Sequence, residues 1–120
     1  MTKKRKLTLE LEKLFKQKCY EKYGNACIIC SEPGVYHHYI MKSRNGLLKY
    51  EVKNAIVLCQ KHHYMIHNAP PSIIARLIEM IRTTKGKAWC IWVDSHEHKH
   101  GVSFTSLKWL EKQKEKLLNL

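Results

Sequence analysis

Apolar residues recur at spacings of three and four along "TLELEKLFKQKCYEKY", where Leu11, Leu14, Phe15, Cys19 and Tyr23 fall on one stripe. That period predicts an amphipathic helix over 8–24, with Thr8 as N-cap and Gly24 as its stop. Lys13, Lys16, Lys18 and Lys22 lie off the stripe and read as a solvated face. Residues 1–7, with Lys3, Lys4 and Arg5, form a basic arm expected to stay mobile until it meets phosphate. "NACIICSEPGVYHHYI" then reads as a tight cysteine turn, a Glu-Pro-Gly turn and a short strand. The Asn45-Gly46 pair signals a hairpin or loop bend, and "NAIVL" a short apolar strand.

The segment from Cys59 to His67 is expected to be helical, ended by Pro70 and Pro71. Ser72 caps a further helix with Ile73, Leu77, Ile78 and Ile81 on its inner stripe. The run "AWCIWV" is short, apolar and aromatic, which points to a buried strand, with a helical turn as the other reading, and "DSHEHKHG" to a polar loop. A basic helix, "SFTSLKWLEKQKEKLLNL", closes the chain with Leu107, Leu110 and Leu117 turned inward. Together these elements predict one α+β domain over 1–120, with a central segment at 25–67 and a helical extension at 72–120.

Length and charge narrow the picture. The 120 residues suffice for one domain. No apolar run approaches the roughly 18 residues of a membrane span, so no membrane partner is expected. "MTKKRKL" is followed by no apolar signal core, which makes a cytoplasmic location with reduced thiols the expectation. Lys and Arg number 22 against 10 Asp and Glu, a formal charge of +12 that favours a polyanion. Composition does not separate DNA from RNA. Five cysteines exclude a complete disulfide framework. Cys19 and Cys90 stand alone in apolar patterns and read as buried thiols.

The other three cysteines stand in ligand spacing. Cys27-x-x-Cys30 and Cys59-x-x-His62 each close a turn, and together offer three thiolates and an imidazole to a tetrahedral structural Zn²⁺. On a helix, neighbours point about 100° apart and residues four apart nearly share a face. With Cys59 and His62 turned to zinc, His63 projects elsewhere and His67 roughly with it, free for a second ion or a phosphate. His37 and His38 are neighbours on a strand and therefore point to opposite faces. His96, His98 and His100 alternate in the polar loop and read as solvated.

The pattern C-x-x-C, HHYI, NAIVLC-x-x-HH and a final histidine, over residues 27–67, resembles the His-Asn-His (HNH) nucleases, in particular their small zinc-containing phage-type members. The resemblance implies a ββα-metal finger flanked by an N-terminal helix and C-terminal helices. It implies a metal-dependent endonuclease that hydrolyses DNA phosphodiesters, leaving 5′-phosphate and 3′-hydroxyl ends. Matched by position, His38 is the general base and Asn54 the residue that orients it. His37 and His63 hold a divalent catalytic ion (Mg²⁺, Mn²⁺, Ni²⁺ or Zn²⁺), and His67 is a candidate third ligand. His37 stands where the family most often has aspartate, which makes the site less anionic. His62 stands where zinc-bearing members usually have cysteine. Lys42 and Arg44, with Lys3, Lys4 and Arg5, are the candidate phosphate contacts, so DNA would be bound mainly through its backbone by a monomer or weak homodimer. The alternative is a zinc-finger module that binds nucleic acid without cutting it.

Overall fold

The computed structural model describes residues 1–42, 44–97 and 106–120. Among them lie five α-helices and a two-stranded sheet, an α+β chain. Helix α1 (Lys3–Tyr23) begins a turn and a half earlier than the apolar pattern suggests. Leu7 extends the buried stripe of Leu11, Phe15 and Cys19 by one turn, and lysine and arginine are good helix formers. The basic arm is therefore helical. Its cap is Thr2, whose hydroxyl accepts from the Arg5 N–H at 3.2 Å, while Thr8 lies inside the helix and donates back to the Lys4 carbonyl. Gly24, at φ 70°, ends the helix as expected.

Strands β1 (Val35–His38) and β2 (Ala55–Leu58) pair antiparallel, Val35 opposite Leu58 and His38 opposite Ala55. Asn45-Gly46 does not turn a hairpin. Asn45 is buried, and its side-chain oxygen accepts from the Leu47 N–H, capping a 3₁₀ turn over Gly46–Leu48. A second such turn, Val52–Asn54, leads into β2. Helix α2 (Gln60–Asn68) follows directly, with Cys59 as its N-cap.

Helix α3 (Pro71–Lys85) starts before Ser72, which makes no capping bond. Proline suits a first helical position because its missing N–H would have no partner there. Leu77 and Ile81 are buried, but Ile73 is exposed, so the inner stripe is shorter than its sequence period. The segment "AWCIWV" is not a strand; it lies in α4 (Lys87–Glu97). Trp89 and Val93, four apart, are buried while Ile91 between them is 61% exposed, a pattern that only the helical period allows. The expected polar loop is thus helical as far as Glu97, and His98 and His100 lie outside the described residues. Helix α5 (Leu107–Leu118) is capped by Ser106 and buries Leu110 and Leu117, with Leu107 partly covered.

Strand β2 partitions the interior. Ala55 joins the α1–α5 cluster with Phe15, Tyr50 and Leu110, whereas Ile56 and Leu58 join a second cluster with Cys27, Ile81, Trp89 and Val93. Cys19 is buried in the first cluster, and burial pushes its thiol up to about 12, as an inert core thiol requires. Cys90 is only half-buried, its sulfur donating to the Arg82 carbonyl.

Gly34 sets the approach of the cysteine turn to β2. A Cβ there would lie 2.5 Å from the Leu58 carbonyl oxygen and 2.8 Å from the Cys59 nitrogen, backbone atoms that cannot swing aside. Gly34→Ala should therefore cost about 1–3 kcal/mol or more of stability. Chemical denaturation of the zinc-loaded protein measures this, and an unchanged midpoint would show that the approach is not tight.

A four-ligand metal centre beside a histidine cluster

Two local structures bring the Cys-Cys and Cys-His pairs together. The cysteine turn is closed by Cys27 N–H to the Glu32 carbonyl (2.7 Å) and Ser31 N–H to the Cys27 carbonyl (2.9 Å), with Ser31 at φ 67°. Its Ile28 N–H donates to the Val57 carbonyl, fixing the turn to β2. The second pair comes from the start of α2, where the Cys59 sulfur accepts the His62 N–H at 3.4 Å. The ligand atoms of Cys27, Cys30, Cys59 and His62 all lie within 4.8 Å of one another. The Cys30–Cys59 sulfurs are 3.7 Å apart, and His62 Nδ1 lies 3.7 Å from the Cys27 sulfur and 3.3 Å from that of Cys59. A tetrahedron with zinc–sulfur arms of ~2.3 Å and a zinc–nitrogen arm of ~2.0 Å has edges of roughly 3.5–3.8 Å. The spacing, the donor set and the half-buried position fit a metal such as zinc. Burial raises the Cys27 thiol, but N–H groups of Cys59, Cys30 and Ile29, with His62, outweigh it and bring Cys27 down to about 6. A thiol so poised is readily a thiolate ligand.

His37, His63 and His67 come together on the α2 side of β1. The His37 and His63 rings stack at 3.8 Å between centroids and 14° between planes, and His67 stands edge-on to His63 at 4.8 Å. His37 Nε2 is buried without a hydrogen-bond partner. No partner fixes which nitrogen of His37 carries the proton, and among the described residues these three histidines are not gathered as the four-ligand centre is. The rings meet face to face, and a shared ion would require the imidazoles to turn on their side-chain bonds. Burial, then the neighbouring His63, His67 and His38, hold His37 down to about 4.

His38 leaves the opposite face of β1, against α1. Its ring stacks on Phe15 at 5.6 Å and 15°, with Tyr36 edge-on. Nε2 lies 2.8 Å from the Lys49 carbonyl, which can only accept. The ring proton is therefore on Nε2, and Nδ1 keeps its lone pair. Burial lowers its pKa, the Lys49 carbonyl opposes this, and the charges of Lys42 and Lys49 lower it further. Asn54 is fully buried and forms a closed pair with Ile40, its oxygen accepting from the Ile40 N–H and its amide donating to the Ile40 carbonyl, both at 2.8 Å. Its own carbonyl accepts from the Tyr39 N–H. Asn54 thus staples the two residues that follow His38.

The phosphate candidates are dispersed. Lys42 is exposed near His38, Arg44 is exposed and paired with Glu97 at 4.0 Å, and Lys3, Lys4 and Arg5 form the first turn of α1. His96 is held by the Trp92 carbonyl and ring. Sequence reasoning misses Phe15 and Lys49. Phe15 stands on the expected apolar stripe, but nothing in the chain's pattern connects it with His38, and Lys49 acts through its backbone, which no side-chain motif records.

Replacing one ligand should remove the ion and the fold together. Cys27→Ser is expected to lose its zinc and its cooperative unfolding transition, because metal affinity is also folding energy. Elemental analysis with circular dichroism decides it, and a native-like, zinc-free variant would refute the centre. The depressed histidines have a second consequence. The unfolded chain takes up the His37 proton near 6.5, the folded one near 4, so stability present above pH 6.5 is lost as pH falls towards 4. In imidazole-carbon NMR titrations of the zinc-loaded protein, His37 should titrate near 4 and His38 below the ordinary value. Either one titrating at or above 6.5 would contradict this burial.

Comparison with protein-family models, curated proteins and solved structures finds no match for this chain. The likeness to the HNH nucleases stands on residues 27–67 alone.

Proposed function

We propose that the protein is a metal-dependent endonuclease of the HNH type that cuts nucleic acid at phosphodiester bonds, DNA foremost. The observation that carries this proposal is the holding of His38. Its Nε2 proton is committed to the Lys49 carbonyl, its ring is backed by Phe15, and Asn54 pins the strand immediately after it. A neutral imidazole with a free Nδ1 and a fixed orientation is what general-base removal of a proton from water requires.

The split between neighbours also serves the chemistry. Displacement at phosphorus sets the attacking and leaving oxygens roughly in line, on opposite sides. His38 and the His37–His63–His67 cluster leave opposite faces of one strand, so a phosphate seated across its edge has the base on one side and the cluster on the other. His37 and His63, with His67, would hold a divalent ion once their rings turn, and such an ion would supply charge to offset the phosphate oxygens and assist the leaving group. Lys42 and Lys49, whose charges reach His38, favour an anion there. The +12 charge favours long-range attraction of the polyanion and a steep salt dependence of binding.

One observation favours the non-catalytic zinc-finger module. Among the described residues, the group of three or more ligands placed to hold an ion is Cys27, Cys30, Cys59 and His62, and the His37–His63–His67 trio is not such a group. Cleavage decides between the two, tried first on supercoiled plasmid. Protein stripped of loosely held metal and supplied with Mg²⁺, Mn²⁺ or Ni²⁺ should nick or linearise it. His38→Ala should cut about 10²–10⁴-fold more slowly, with zinc content and DNA binding retained. Intact plasmid under every ion with binding retained would favour the module or a substrate other than duplex DNA, and uncut single strand and junction as well would leave the module. A His38→Ala variant as fast as wild type would remove the base assignment.

A further inference from the structure

Helix α2 has no buried residue. One side carries His62 to the metal centre, and a second carries His63 and His67 to the histidine cluster. The third side, with Gln60, Lys61, Tyr64 and Asn68, is exposed. Tyr64 is 67% exposed, an aromatic ring left largely uncovered. It stands one turn from Lys61 and one turn from His67, so side chains at about 5–6 Å Cβ spacing link a cation, an aromatic face and the histidine cluster.

We infer that this side of α2 is a seat for an unpaired nucleic-acid strand, with the Tyr64 ring stacked on the base next to the phosphate at the histidine cluster. Charge complementarity selects the occupant. The chain carries +12, and Lys61 flanks the ring, the combination of cation and aromatic platform that single strands use. An intact duplex offers no base face to Tyr64, because each base is covered by its neighbours. The seat therefore names the substrate class: a single strand, flap or junction, in preference to continuous duplex. The inference takes its position on the strand from the proposed nuclease site, but binding at Tyr64 does not depend on cleavage.

The test uses the zinc-loaded full chain carrying His38→Ala, without added divalent ion, so that nothing is cut. Affinity is measured for a short single-stranded DNA with a 2-aminopurine reporter, the same strand as RNA, and the matched duplex. Tyr64→Ala should weaken binding of the DNA or RNA strand about tenfold or more and abolish the reporter's stacking quench, while Tyr64→Phe and Tyr64→Trp retain both. Duplex affinity should hardly change. Unchanged single-strand affinity in Tyr64→Ala, or an equal loss on duplex, would overturn the proposal. So would a wild-type dimer that Tyr64→Ala dissociates with strand affinity unaltered, which would assign the face to a second copy. Tyr64-dependent strand binding by a protein whose wild type cuts neither plasmid nor the single strand, flap or junction with Mg²⁺, Mn²⁺ or Ni²⁺ would uphold the seat and remove the nuclease.

Discussion

Convergence of four ligand atoms from two distant turns is the constraint on which the rest of the structure depends. Helix α2 is nine residues long and has no fully buried residue, with only the partly buried Ile66 packed on the second cluster, so packing alone holds it weakly. What ties it down is its first turn, where Cys59 caps the helix and His62 reaches the sulfurs of the cysteine turn. Gly34 permits that turn to lie against the end of β2, and the Ile28–Val57 hydrogen bond holds it there. An ion joining the four ligands would connect α2 to the sheet. Everything the exposed faces of α2 can do, from the histidine cluster to Tyr64, follows from that attachment.

Strand geometry then distributes the chemistry. The two-residue period of β1 sends His37 to the α2 side and His38 to the α1 side, and the two environments differ accordingly. His37 meets other imidazoles and keeps a buried nitrogen without a partner. His38 meets Phe15 and a backbone carbonyl that settles its tautomer. Burial lowers both pKa values, which favours the neutral imidazole that the proposed ligand and base roles would each need. The elements outside residues 27–67 support this division. Helix α1 supplies the wall behind His38, and Trp89 of α4 donates to the Lys53 carbonyl in the connection that also carries Lys49.

Much of this was legible in the chain because spacing encodes it. Cys-x-x-Cys and Cys-x-x-His are turn-sized ligand pairs, and the adjacent histidines obey the periods of helix and strand. The apolar run of β2 could be placed for the same reason. Legibility failed where tertiary context overrides local signal. Asn45-Gly46 does fall in the loop between β1 and β2, but there it is drawn into the interior to cap a 3₁₀ turn instead of bending a tight hairpin. "AWCIWV" is too short for its period to show, and only the burial of Trp89 and Val93 reveals a helix. The N-terminal lysines looked like a free arm because charge obscured the continuation of the stripe to Leu7. The backing of His38 by Phe15 and Lys49 was invisible, since it joins residues far apart in sequence, partly through a backbone atom.

The most direct measurement is zinc-edge X-ray absorption on the full chain reconstituted with one equivalent of zinc. Coordination by Cys27, Cys30, Cys59 and His62 predicts three sulfur neighbours at ~2.3 Å and one nitrogen at ~2.0 Å. A shell of nitrogen and oxygen with little or no sulfur would place the first ion on the histidines instead, and would contradict the claim that a thiolate-rich centre holds α2 in place.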